Sequence, residues 1–170
     1  MNDLKLNEPF RLFTEEQCKD LIRRASEQGL QQGQTYNNNS DVRTNSISWL
    51  ELTEDEYNYL WETVKDFWWM VHWYEKPVQI SKYAPGDFYD WHDDAKPNKG
   101  RTSVRHLTLT CTLQSAPGAV FETEDRTYDL EPGMAVLFPS DKKHRAAEPT
   151  EGERWSLTVW YMKRRGHSTK

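Results

Sequence analysis

Cysteine is nearly missing from this chain of 170 residues: only Cys18 and Cys111 occur, too few and too different in context to form a disulfide framework. Long apolar runs are missing too. No stretch can span a bilayer, and the opening MNDLKLNEPF is too polar for a secretory signal, so the expectation is a cytoplasmic protein with no membrane partner. Positive charge is in deficit. The 22 Lys and Arg face 27 Asp and Glu, and the resulting net charge of −5 argues against a nucleic acid as principal partner. The length is enough for one domain with a real core.

The stretch that organises the chain is YAPGDFYDWHDD, residues 83–94. Side chains alternate across a strand, so His92 and Asp94 share a face while Asp93 points away. An imidazole nitrogen and a carboxylate oxygen side by side are two corners of a 2-His-1-carboxylate facial triad, the arrangement that leaves open positions on non-haem Fe(II). An ordinary surface strand can carry the same pair. His144, in LFPSDKKHRAAEP, supplies a third ligand from a separate strand. Ten residues after it stands Arg154, and nine before His92 stands Tyr83. A guanidinium suits the far end of a dicarboxylate.

Two helix starts are legible. Thr14 and Gln17, then Thr53 and Glu56, have capping-box spacing. The first helix carries Cys18, Leu21, Ile22 and Ala25 on one face and stops near Gly29, which makes Cys18 a small buried hydrophobe. The second carries Tyr57, Leu60, Trp61, Val64, Phe67, Trp68 and Val71, a stripe that predicts one long helix against a sheet, with Trp69, Trp73 and Tyr74 beside it. Residues 7–13 suggest a short edge strand. Residues 31–41 have no periodicity and read as a surface loop, or a substrate lid.

Strands are predicted at 78–83, 88–93, 104–114, 119–123, 127–130, 135–138, 144–148 and 155–162, divided by Pro-Gly and Glu-Gly turns. Helices first and strands after give an α+β class: a jelly-roll, or double-stranded β-helix, with N-terminal helices packed on one sheet. A helical support region (1–77), a jelly-roll core (78–163) and a basic tail (164–170) make one domain. In the last strand Arg154, Ser156, Thr158 and Trp160 share a face that is too polar for a packed core and suits a cavity.

From Tyr83 to Met162 the sequence resembles the 2-oxoglutarate- and Fe(II)-dependent dioxygenases, within them the prolyl 4-hydroxylase-like group, with a weaker echo in VRTNSISWL, residues 42–50. The resemblance implies that His92, Asp94 and His144 bind Fe(II). It implies that Arg154 grips the 5-carboxylate of 2-oxoglutarate with help from Tyr83 and Thr108, that Tyr89, Trp160, Arg43 and Trp49 face the substrate, and that ascorbate is a candidate auxiliary reductant. Arg154 stands where collagen-type enzymes usually carry Lys and many bacterial relatives carry Arg. The chain departs from the group at PGAVFE, residues 117–122, where relatives often have Gly-Gly-Glu-Leu.

The implied activity is hydroxylation of an unactivated carbon, releasing succinate and carbon dioxide, with a proline-containing peptide or protein as expected substrate. A small-molecule hydroxylase and a non-catalytic jelly-roll binding module are the alternatives. Tyr89 and Trp160 also have a plain reading as core residues. The remaining histidines are read as non-ligands: His72 in a helix context, His106 as a hydrogen-bonded structural residue, and His167 in a solvated basic terminus.

Overall fold

The computed structural model describes residues 4–33, 42–95 and 103–164. In chain order the elements are β1 (Phe10–Arg11), α1 (Glu15–Gln28), β2 (Gln31–Gln32), β3 (Ser46–Leu50), α2 (Glu54–Thr63), a 3-10 turn (Lys65–Phe67) and β4 (Trp73–Tyr74). Then follow β5 (Val78–Tyr83), β6 (Tyr89–His92), β7 (Ser103–Gln114), β8 (Phe121–Thr123), β9 (Arg126–Tyr128), β10 (Met134–Pro139), β11 (His144–Ala146) and β12 (Arg154–Arg164). All pairings are antiparallel. The large sheet runs β1-β10-β7-β12-β5-β3-β2 with β4 on β12, and the small sheet runs β6-β11-β8-β9.

Both capping boxes form as the sequence predicts, each Thr hydroxyl accepting from the third residue of its helix. Arg24 on α1 meets Glu56 on α2 at 2.6 Å. The second helix is shorter than its stripe predicts. It ends at Thr63, because Val64 (φ −102°, ψ 16°) leaves helical geometry and its N–H takes the tighter bond to Trp61. Beyond it, TVKDFWWMVHWY is rich in β-branched and aromatic residues that lose rotamer freedom in a helix. The chain folds back instead, Trp68 stacking on Trp61 at 5.7 Å, while Val64 and Val71 still reach the core. Phe67 packs against that core, whereas Trp68 and Trp69 lie exposed. His72 therefore sits outside any helix, its N–H donating to the Met162 carbonyl.

The N-terminal region is not purely helical. β1 pairs with β10, β4 with β12, and β3 lies between β5 and β2, so the first part of the chain supplies four strands to the large sheet. Gln31 and Gln32, expected in a loop, pair with Ile47 and Ser46. Residues 34–41, the tail from 165 onwards and the turn at 97–100 lie outside the described residues. The eight strands expected in the C-terminal half all form, with no end displaced by more than two residues.

Alternation across three central strands sorts the side chains. On one face Val78 and Ile80, Leu107, Leu109, Cys111 and Leu113, and Leu157, Val159 and Tyr161 form the main core with Leu21, Ala25 and Leu60 of the helices. The Tyr161 hydroxyl, inside this core, donates to the Leu60 carbonyl at 2.8 Å. Burial pushes both thiols, Cys18 and Cys111, up, in keeping with their role as small apolar residues. The other face of the same strands is polar. Leu157→Ala, on the core face and fully buried, is expected to cost about 2–5 kcal/mol in denaturant unfolding without weakening ligand binding on the far side. Among the described residues no helix is long and apolar enough to cross a membrane.

Candidate active site

The polar face belongs to a pocket whose floor is set by strand register. Tyr83, Ser81 and Gln79 of β5 stand opposite Arg154, Ser156 and Thr158 of β12, which in turn pair Ser156 with Thr112, Thr158 with Thr110 and Trp160 with Thr108 of β7. All of these except Thr112 line the pocket. Its other wall is the small sheet, with Tyr89 and His92 from β6, Phe121 from β8 and His144 and Ala146 from β11, and Phe138 of β10 fills in beside them.

His92 and His144 are direct cross-strand partners, which brings their ring centroids to 4.2 Å. Asp94 follows β6, outside the strand, where its N–H donates to the Ser140 carbonyl at 2.8 Å and turns the carboxylate towards the large sheet. One ligand atom from each of the three residues lies within 4.8 Å of the others. His92 Nδ1 is 2.6 Å from the Asp90 carbonyl and His144 Nδ1 is 2.9 Å from the Lys142 carbonyl. A carbonyl only accepts, so each Nδ1 carries a proton and each Nε2 is directed inward. Asp93 does not line the pocket and accepts from the Ala95 N–H.

The charges fit a cation site. Burial lowers His92 to about 4, reinforced by His144, so this imidazole is neutral at neutral pH. Burial alone would raise Asp94, but facing His144 and His92 holds its carboxyl below the usual carboxylate range. Burial opposes and Asp94 outweighs it at His144, whose pKa is raised. An acidic oxygen and two imidazole nitrogens, each positioned by a hydrogen bond from outside the group, suit Fe(II).

Arg154 is 3% exposed, and among the described residues no carboxylate lies within 4 Å of its guanidinium. It faces the Tyr83 ring at 5.6 Å. Burial pushes its pKa down, with Tyr83 pulling back, and burial pushes the Tyr83 phenol up, so the pair is a cation beside a neutral hydroxyl. A buried cation is costly without an anion, and the pocket in front of it suits a carboxylate group.

Other expected residues take different places. Thr108 donates to Asp94 Oδ2 at 3.0 Å and shares a hydrogen bond with Ser140, so its hydroxyl is engaged by a metal ligand. Trp160 likewise donates its indole N–H to Asp94 Oδ2, at 3.1 Å, while its side chain lines the pocket. Tyr89 lines the pocket, stacked on His92 at 3.5 Å. Arg43 does not line it: buried, it donates to Asn45 at 2.6 Å and lies over the Tyr89 ring at 4.5 Å. Trp49, 36% exposed, stands outside the pocket with its ring 6.0 Å from Trp160. His106, part-buried, stands apart from the ligand group. Sequence reasoning missed Gln79, Ser81, Thr110 and Ser140. The first three were legible, because V-Q-I-S-K-Y and L-T-L-T-C-T alternate with the same polar face as β12. Ser140 had no sequence signal.

The sequence profile of the 2OG-Fe(II) oxygenase superfamily matches residues 78–162, half of the chain. A PKHD-type hydroxylase of Parvibaculum lavamentivorans is 33% identical over 88 residues, 49% of this chain and 40% of that protein. A second, from Idiomarina loihiensis, is 30% identical over the same shares, so the chain spans 40% of the length of each curated relative. Among solved structures, a viral collagen prolyl hydroxylase of Paramecium Bursaria Chlorella virus-1, in a 2OG complex, superposes with TM-score 0.74 at 19% identity, over 95% of this chain and 98% of that one. A Pseudomonas putida prolyl-4-hydroxylase gives 0.68 at 22%, over 93% and 92%. A Trichoplax adhaerens prolyl hydroxylase with a hypoxia inducible factor peptide gives 0.68 at 20%, over 91% and 82%. These structural likenesses concern the fold; the profile match, over the strands that carry His92, His144 and Arg154, makes this chain a member of the 2OG-Fe(II) oxygenase superfamily.

Proposed function

We propose that the protein is a 2-oxoglutarate-dependent Fe(II) dioxygenase that hydroxylates a prolyl residue of a peptide or protein. The observation that carries the cosubstrate assignment is Arg154, a buried guanidinium with no carboxylate near it among the described residues, opening on the pocket that holds His92, Asp94 and His144. In this reading the two sheets form a double-stranded β-helix around that pocket. Fe(II) with 2-oxoglutarate would supply oxygen activation and attack on an unactivated C–H bond, leaving succinate and carbon dioxide.

The chain's own residues bind, orient and exclude water. His92 and His144 present Nε2, fixed by their Nδ1–H bonds to backbone carbonyls, and Asp94 presents a carboxylate oxygen. Arg154 and the Tyr83 hydroxyl take the 5-carboxylate of the cosubstrate. Phe121 and Phe138 pack against His144 at 5.7 and 4.9 Å, and Tyr89 covers His92, which keeps water from the ligands' flanks. Trp49 and Tyr89 offer aromatic surface to a proline ring and its extended peptide. Support for a peptide substrate comes from the prolyl hydroxylases of the same fold, one of them bound to a peptide. Ascorbate is the auxiliary reductant in this reading.

Incubated with Fe(II), 2-oxoglutarate, ascorbate and oxygen, the protein is expected to add one oxygen atom to a prolyl residue in a library of proline-containing peptides, with one succinate formed per hydroxylation. Mass spectrometry locates the oxygen. Succinate formation stimulated by small molecules and by no peptide would overturn the prolyl assignment.

A further inference from the structure

The two oxygens of the Asp94 carboxylate are treated differently by the fold. Oδ2 receives the Thr108 hydroxyl at 3.0 Å and the Trp160 indole N–H at 3.1 Å. Among the described residues no hydroxyl or indole donates to Oδ1, which faces His92 Nε2 at 3.6 Å, while His144 Nε2 stands 3.4 Å from Oδ2. The direction of these bonds is fixed by chemistry. An indole nitrogen only donates, and an ionised carboxylate only accepts, so the single Thr108 proton goes to Asp94 and Ser140 donates its own to Thr108 across 2.8 Å. Two aligned donors therefore occupy Oδ2. Oδ1 is left as the oxygen with lone pairs to offer a cation.

The indole is itself held in place. The Arg105 guanidinium carbon lies 3.7 Å from the centroid of the Trp160 ring, and Arg105 is bridged to Glu75 at 3.2 Å. The Glu75 N–H donates to the Trp160 carbonyl at 2.9 Å, which ties that ion pair to the same residue of β12. A cation over the ring face is attracted to it and draws electron density from the ring, which strengthens the N–H as a donor. Trp160 is 6% exposed and lines the pocket beside Asp94.

We propose that Trp160, clamped by Arg105 and acting with Thr108, is a positioning residue that makes Asp94 a one-oxygen metal ligand through Oδ1. Two-oxygen ligation would consume a further position on the metal, and the fixed Oδ2 prevents it. The inference rests on the reading of His92, Asp94 and His144 as the metal centre.

The test is titration of the whole chain with Co(II), followed by visible d–d absorption, for the wild type and for Trp160→Phe, Thr108→Val, Thr108→Ser and Arg105→Gln. The wild type is expected to bind. Trp160→Phe and Thr108→Val should each weaken binding about 10-fold or more, the range found when partners of metal ligands are removed, and should alter the absorption as Asp94 turns. Thr108→Ser, which keeps the hydroxyl, should restore the wild-type spectrum, and Arg105→Gln should weaken binding less than Trp160→Phe. No binding by the wild type would sink the metal centre itself. Wild-type binding matched within twofold by Trp160→Phe and Thr108→Val, with unchanged spectra, would leave the centre standing and overturn the positioning role. Should Trp160→Phe fail to fold, the Thr108→Val and Thr108→Ser pair decides alone.

Discussion

His92→Ala is expected to lose metal binding, by more than the ~10–100-fold typical of removing a partner of a metal ligand, and with it all turnover. The reason lies in how few donors the pocket contains. Among the described residues, His92, Asp94 and His144 are the one group of three whose ligand atoms converge. Neighbouring carboxylates are committed elsewhere: Asp90 accepts from the Trp91 N–H at 2.8 Å and Asp93 from the Ala95 N–H at 3.2 Å. Neither can take the vacated corner without breaking its own hydrogen bond. Anaerobic titration with Fe(II) and 2-oxoglutarate, read by the visible metal-to-ligand charge-transfer band, checks the loss, with melting to show that the variant is folded. His72→Ala is the control and should keep the band, because His72 lies at the far end of β12, where its Nδ1 accepts from the Arg164 N–H. A full band in His92→Ala would remove this residue from the metal centre.

Arg154→Met is expected to change two quantities in opposite directions. Losing one partner of a buried charge pair costs about 2–5 kcal/mol, so 2-oxoglutarate should bind Fe(II)-loaded protein about two orders of magnitude more weakly. Without cosubstrate the variant should melt higher than the wild type. The guanidinium is buried beside a neutral phenol, with no carboxylate within reach among the described residues, and Met fills much of the same volume without carrying a charge out of water. Isothermal titration and thermal melting of one preparation check both. Unchanged affinity for 2-oxoglutarate would assign the cosubstrate carboxylate to some other cation.

The difference between Arg154 and Arg43 shows where sequence reasoning succeeds. Arg154 lies within a strand whose alternation is unambiguous, so Ser156, Thr158 and Trp160 could be placed on its face before any coordinates. Arg43 lies in an irregular segment joined to β6 by the single bridge to Tyr89. No periodicity says which way its side chain turns. It turns against Tyr89 and Asn45 and does not line the pocket. The second helix failed for a related reason: a three- and four-residue stripe records which side chains become buried, and a helix followed by a folded-back turn buries Val64 and Val71 as well as one long helix would.

By itself the sequence determined the two capped helix starts, the eight C-terminal strands and the cavity face of β12. All follow from local periodicity and turn chemistry, which need no knowledge of the partner strand. Only the tertiary structure decided that the N-terminal region adds β1 to β4 to the large sheet, that His92 and His144 are cross-strand partners, and that Thr108 and Trp160 converge on one oxygen of Asp94. Those are matters of register between strands distant in the chain, where a shift of one residue turns every side chain to the opposite face. The alternation along a strand is written in the sequence; which residue stands opposite is chosen by packing the two sheets around the pocket.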